Sequence, residues 1–235
     1  MDRNSNQYTF LYASVMVILV AAVLAAVAMA LRPRQDRNAE IEKKQNILAS
    51  VNVETTPANA ENIYSERIQN QFVINAQGET VEGSDAFEID LRAERTKPIA
   101  ERLLPVFEFQ SEDGLKYIFE MRGAGLWGPI WGFVSLNEDM NTIYGANFDH
   151  QGETPGLGAE ISTNWFQEDF KGKEIFNESG ELVSITVTKV GQEAPENHSV
   201  DGISGGTITS KGLQSMLMEG FTGYKEFLNK KSLKK

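Results

Sequence analysis

Residues 201–210, D-G-I-S-G-G-T-I-T-S, are small, polar and glycine-rich, and they stand between a predicted strand and a predicted helix. Consecutive Gly205 and Gly206 let backbone N–H groups approach an anion without side-chain obstruction. The N-terminus of the following helix adds a favourable dipole. A phosphate suits such a turn, with Ser204 and Thr207 supplying hydroxyls beside it. An ordinary glycine turn with a threonine helix cap would use the same residues. The string also satisfies G-x-S-x-G at residues 202–206, the pattern around some nucleophilic serines. That chemistry needs a histidine base, and neither of the two histidines, His150 and His198, stands in a catalytic context.

Two further glycine-rich segments occupy separate connections. In G-A-G-L-W-G-P-I-W-G, residues 123–132, glycines flank Leu126 and Trp127 and could expose an indole and an aliphatic chain to a flat aromatic ligand; Trp131 reads as packing. In D-H-Q-G-E-T-P-G-L-G-A-E, residues 149–160, Glu153 and Thr154 offer a carboxylate and a hydroxyl. Pro155, Gly156 and Gly158 there fix a tight backbone path that places Leu157.

The elements that must hold these loops read as a mixture of strands and helices. Strands are predicted at residues 86–91, 117–121, 130–136, 142–148 and 182–190, the last from its alternation of Val183, Ile185 and Val187 with Ser184, Thr186 and Thr188. N-E-D-M-N between Leu136 and Thr142 is a hairpin turn. Helices are predicted at residues 159–170 and 210–228, the second with Leu213, Leu217, Phe221, Tyr224 and Leu228 at helical spacing. Without regular strand–helix alternation, the fold class is α+β.

Residues 10–31 form an uncharged, predominantly apolar run ended by Arg32, Pro33 and Arg34. At about 1.5 Å per residue it spans about 33 Å, enough for one crossing of a roughly 30 Å hydrocarbon core. Ala28-Met29-Ala30 resembles a signal-peptide cleavage site, but the run is long and its upstream flank pairs Arg3 with Asp2, which favours a retained anchor. Residues 36–51 read as an amphipathic helical stalk, followed by a break at residues 52–62. Arg32, Arg34, Arg37, Lys43 and Lys44 all follow the span, and flanking charge alone would place the soluble part in the cytoplasm. A net charge of −11 argues against nucleic acid, and the absence of cysteine excludes disulfides, haem c attachment and cysteine-ligated clusters. Two histidines make a His-rich metal site an unsuitable reading.

Together the three loops resemble the FMN-binding domain family shared by the NqrC component of the sodium-translocating NADH:quinone reductase (Nqr) and the related FMN-carrying component of the Rnf complex. The resemblance covers nearly the whole chain and rests on L-W-G-P-I-W-G, E-T-P-G-L-G-A-E, D-x-x-S-G-x-T at residues 201–207, and the N-terminal anchor. It implies a tail at residues 1–9, a transmembrane helix at 10–31, a stalk or linker at 32–60 and an α+β FMN-binding domain at 61–235. It further implies that Thr207 carries FMN through a phosphoester made by a dedicated flavin transferase. Gly206 stands where the family usually has alanine.

By the same resemblance, Leu126 and Trp127 contact the ring or ribityl chain, and Glu153, Thr154 and Leu157 line the other side. Ser204 and Gly205 surround the phosphate, and Lys189 stabilises negative charge on the flavin or its phosphate. Asp201 serves recognition by the transferase, and Thr209 is expected to be dispensable, Thr209→Val leaving in-gel flavin fluorescence intact where Thr207→Val abolishes it. The implied setting is a six-subunit complex in the inner membrane, with the soluble domain on the periplasmic side and electrons passing from NADH toward a quinone, coupled to sodium export. With no Rossmann fingerprint and no charge within the span, NADH oxidation and ion passage fall to partner subunits. An Rnf-type electron carrier, and an anchored FMN-binding or assembly protein without enzymatic role, are the alternatives.

Overall fold

The computed structural model describes residues 5–189, 192 and 194–232. The chain forms two compact units, Met1–Lys43 and Lys44–Lys235. The first is one helix, α1 (Asn6–Ala49), whose last residues belong to the second unit. Residues 10–31 of α1 are exposed throughout, and the helix is long and apolar enough there to cross a membrane. Pro33 lies within α1 without ending it.

The second unit is built on a six-stranded antiparallel sheet of β1 (Ile68–Ile74), β2 (Thr80–Val81), β3 (Leu104–Ser111), β4 (Gly114–Ala124), β5 (Pro129–Leu136) and β6 (Ile143–His150), in the order β2-β1-β3-β4-β5-β6. Both faces of the central strands are buried, each against its own apolar cluster. Phe119 pairs in register with Val106 and Val134, and these turn toward a long C-terminal helix, α5 (Thr207–Ser232). Ile118 and Phe107 face the opposite side with Phe109 and Phe133, where Ile47 and Leu48 at the end of α1 and Val51 just after it join Tyr64 of α2 (Ala60–Arg67). Two-sided burial explains why the centre of β4, Tyr117-Ile118-Phe119, is apolar on both faces, with the charged Lys116, Glu120 and Arg122 on either side of it. Leu213, Met216, Leu217, Phe221, Tyr224, Phe227 and Leu228 form the buried stripe of α5. The Tyr224 hydroxyl donates at 2.9 Å to Pro105 O and lies 3.1 Å from Glu120 O, and burial holds its pKa well above the ordinary range.

Three expectations are corrected. Residues 86–91 are not a strand: Ala86–Glu88 is a 3-10 turn, and Leu91 opens the short helix α3 (Leu91–Glu94). Asp85 and Asp90 accept from the N–H groups of Phe87 and Arg92, and this local capping overrides the two-residue alternation of Phe87, Ile89 and Leu91. The helix expected at 159–170 is a 3-10 turn, Gly158–Ser162, followed by α4 (Asn164–Glu168), because Thr163 is extended (φ −85°, ψ 145°). Of the strand expected at 182–190, only β7 (Thr186–Thr188) forms, parallel to β8 (Ser199–Asp201). Ser184, at φ 57°, interrupts it, and both Val183 and Ser184 donate their N–H to Ile175 O. Val190 lies outside the described residues. The turn between Leu136 and Thr142 forms as expected: Asp139 accepts from Asn141 and Thr142 N–H, and Met140 takes φ 59°.

Candidate functional site

Thr207 is not in the loop before the helix but is the first residue of α5, and its side chain is exposed. The preceding turn is closed on itself. Gly202 N–H donates to Thr188 O at 2.8 Å, Gly206 N–H to Ile203 O at 2.9 Å, and Ile203 N–H to the Ser210 hydroxyl at 3.3 Å. Gly205 takes φ 75°, a conformation a side chain resists, and a Cβ built there would sit 2.6 Å from Leu157 Cδ2. The first intrahelical bond runs from Ser210 N–H to Gly206 O, so the N–H groups of Thr207, Ile208 and Thr209 open outward at the positive end of α5.

The turn forms one wall of a cleft of about 660 Å³, within the size range of small-molecule sites. Lys189, Ser204, Gly205 and Thr207 line it together, as the sequence suggests, and so do Lys211 and Gln214, which it does not mark. Lys211 follows Thr207 by four residues and thus shares its helix face, a signal present in the spacing. Gln214 has a structural duty: its Oε1 accepts Val187 N–H at 3.1 Å along the open edge of β7. Two lysines and a helix N-terminus around a hydroxyl make a setting that favours a phosphate ester. Asp201, expected to face a modifying enzyme, has Oδ1 3.3 Å from the Thr188 hydroxyl and so also braces the β7–β8 pair.

The other two loops lie outside the lining of this cleft and meet the turn from another side. Leu126 and Trp127 form the two-residue tip of the β4–β5 hairpin, closed by Gly125 N–H donating to Gly128 O at 2.8 Å, and are 49% and 70% exposed. Leu157 is 41% exposed and reaches the turn at Gly205. Thr154 is exposed, and its carbonyl organises the loop by accepting from Leu157 and Ala159 N–H, both at 3.1 Å. Gly206 is buried in contact range of Ile203 and Leu157. Glu153, expected to line the ligand, has both carboxylate oxygens engaged within the protein. It is buried, with Oε1 accepting Trp127 N–H at 2.8 Å and Oε2 accepting the Thr209 hydroxyl at 2.6 Å. Thr209 thus joins the first turn of α5 to the loop at residues 149–160, a link that the sequence does not mark.

The histidines take no catalytic position. His150 Nδ1 accepts Glu153 N–H at 3.2 Å, and His198 Nδ1 lies 2.6 Å from Glu174 O, so both hold loops and the serine-hydrolase reading gains nothing. The cleft offers lysines and a hydroxyl suited to an anionic group, and the exposed Leu157, which reaches the turn at Gly205, offers apolar surface on its other side.

Residues 125–221 match the FMN-binding domain family. The C subunit of the Na(+)-translocating NADH-quinone reductase of Neisseria meningitidis serogroup A is 31% identical over 248 residues, covering 97% of this chain and 95% of that protein. Its counterpart in Haemophilus ducreyi is 30% identical over 249 residues, with 97% and 95% covered. Among solved structures, the C subunit of the Na(+)-translocating NADH-quinone reductase from Parabacteroides distasonis superposes with a TM-score of 0.78 at 48% identity, covering 84% of this chain and 96% of that one. Shewanella oneidensis NqrC superposes at 0.71 with 25% identity, covering 83% and 98%.

Proposed function

We propose, for a chain that belongs to the NqrC family of Na(+)-translocating NADH-quinone reductase components, that Thr207 holds FMN as a covalent phosphoester and that the protein relays electrons within that complex. The observation that carries this is the exposed Thr207 hydroxyl at the N-terminus of α5, on the rim of a cleft shared with Lys189 and Lys211. When bound, FMN supplies the electron-accepting and electron-donating chemistry. The chain's own part is to hold it. The Thr207 oxygen would bear the ester, the outward N–H groups of the first turn and the two lysines would balance the phosphate charge, and Ser204 would hydrogen-bond beside it. Leu126, Trp127 and Leu157 would offer apolar surface to the flat end, and Thr154 would border it. A tether suits a relay because the cofactor never needs to leave.

The family relation makes the chain part of an oxidoreductase complex, and the apolar α1 serves as its membrane anchor. We read it as crossing the inner membrane once, with the FMN-binding domain at the periplasmic face, in a six-subunit assembly matured by a dedicated flavin transferase. The basic residues after the span oppose that orientation on charge alone, so assembly with partners would have to set it. Protease protection of the domain in inside-out vesicles supports the periplasmic placement, and cleavage there refutes it.

The central test is peptide-mapped mass spectrometry of the full chain produced with its transferase. An adduct of FMN less water on the peptide containing Thr207 is expected, with none in Thr207→Val. Wild type without an adduct removes the covalent reading.

A further inference from the structure

We infer that Thr209 is a positioning residue for the flavin site: with the Glu153 carboxylate it forms a buried clasp that ties the Leu126–Trp127 hairpin tip to the helical turn carrying Thr207. The inference rests on the reading above that these loops receive FMN, and it assigns Thr209 and Glu153 a task distinct from touching the ligand.

The clasp is a three-point junction. Thr209 is 1% exposed and Glu153 5%, and the hydroxyl donates to Oε2 at 2.6 Å while Oε1 accepts Trp127 N–H at 2.8 Å. Glu153 is itself held, its N–H donating to His150 Nδ1 at 3.2 Å at the end of β6. A carboxylate removed from water needs charge-assisted donors on its oxygens, and here the two come from elements far apart in sequence. Gly158 closes the junction, since a Cβ built there would run into both Glu153 Oε2 and Thr209 Oγ1.

The hairpin tip needs this support. A two-residue hairpin that closes by itself uses a primed turn with φ above zero at its first or both central residues. Neither Leu126 nor Trp127 has positive φ. The Trp127 N–H finds its acceptor in Glu153 instead, so the direction of the tip depends on where that carboxylate stands. At the other end, Thr209 and Thr207 are two residues apart in a helix and project to nearly opposite sides of the first turn. The inner side is fixed on Glu153, and the outer side presents the Thr207 hydroxyl.

The test uses the full chain in detergent, made with and without the flavin transferase, as wild type, Thr209→Val, Thr209→Ser and Gly158→Ala. Readouts are the rate of FMN attachment to Thr207, the fluorescence anisotropy of the attached flavin, and hydrogen exchange of the peptide spanning Trp127 in flavin-free chain. Losing one charge-assisted hydrogen bond should slow attachment roughly tenfold in Thr209→Val. The flavin should be more mobile and the hairpin peptide should exchange faster. Thr209→Ser, which keeps the donor, should match wild type, and Gly158→Ala should reproduce the loss. Wild-type behaviour of Thr209→Val on attachment and exchange overturns the clasp, as does Thr209→Ser failing equally. If Thr209→Val does not fold by circular dichroism, the contrast between Thr209→Ser and Gly158→Ala decides, and a wild-type-like Gly158→Ala overturns it. Wild type that takes no flavin overturns the tether alone, because exchange in the flavin-free chain still reports on the clasp.

Discussion

Gly205 and Gly206 are adjacent, yet alanine should be tolerated at only one of them. At Gly205 the backbone is left-handed, with φ 75°, and an L side chain there costs about 1–2 kcal/mol. The Cβ would also press on Leu157 Cδ2 at 2.6 Å, but Leu157 is half-exposed and its side chain can swing away at little further cost. Gly206 is not left-handed, and a Cβ there would find its nearest atoms at 3.1–3.3 Å, on Ile203 and on the Leu157 carbonyl carbon. The Ile203 side chain must give by a few tenths of an ångström and alanine is a poorer helix N-cap, but alanine also restricts the unfolded chain, so the net cost should be smaller than at Gly205. For a domain of this size, Gly205→Ala should lower the melting temperature by roughly 3–6 °C, with Gly206→Ala close to wild type. In-gel flavin fluorescence should fall with Gly205→Ala, because the Ser204 to Thr207 path is displaced, and persist with Gly206→Ala. Equal melting temperatures for the two variants, or loss of flavin from Gly206→Ala alone, would refute the backbone argument.

Lys211→Ala should slow flavin attachment about fivefold at low ionic strength, with the deficit shrinking as salt screens the phosphate, whereas Lys211→Arg should attach normally. A salt-independent defect would show that the charge is not the cause. Glu219 links α5 to the α3 region, with Arg95 Nη2 at 3.0 Å and Arg102 Nη1 at 2.7 Å. Burial raises its pKa, but the hydrogen bonds and charges of the two arginines outweigh that and hold it below the ordinary carboxylate range. A lowered folded-state pKa gives stability that is complete above the unfolded value and is lost as pH falls through the folded one. Glu219→Gln should therefore cost about 1 kcal/mol at pH 7, and the gap should shrink in urea melts as pH falls below the ordinary carboxylate range. A gap that persists in acid would show that shape, not charge, is what the residue supplies.

What the sequence makes legible and what it hides divide along a physical line. β4, β5 and the apolar stripe of α5 are readable because burial of whole faces imprints a period on the residues. β1 and β3 escape such a reading: Pro105 sits in β3 one residue outside its pairing with β4, and polar Gln69, Asn70 and Gln71 sit in β1 beyond the reach of the two-residue β2, so local register and not periodicity makes them acceptable. Asp85 and Asp90 turn an alternating segment into capped turns, an effect of single hydrogen bonds that no periodicity carries. At the candidate site, Ser204, Trp127 and Leu157 in glycine-rich loops, and Thr207 at the helix start beside one, draw notice by residue type, and all four are exposed. Thr209 is not, because its only mark is a partner 56 residues away.

That hidden partnership bears on how the site works. The proposed anchor point for the cofactor stands on the first turn of a helix whose far end is fixed by Tyr224, Phe227 and Leu228 in the core and whose first turn is held at Thr209 by Glu153. Trp127 stands on a hairpin tip that is mostly exposed and that no primed turn stiffens. A tethered flavin would then have a rigid phosphate end and an apolar end whose surroundings depend on one buried carboxylate. Rigidity at the ester and control at the ring are what a relay requires, because the rate of electron transfer follows the position and environment of the ring. On the proposed reading Glu153 serves both ends, because its two oxygens hold the Trp127 N–H on the hairpin tip and the Thr209 hydroxyl on the first turn of α5.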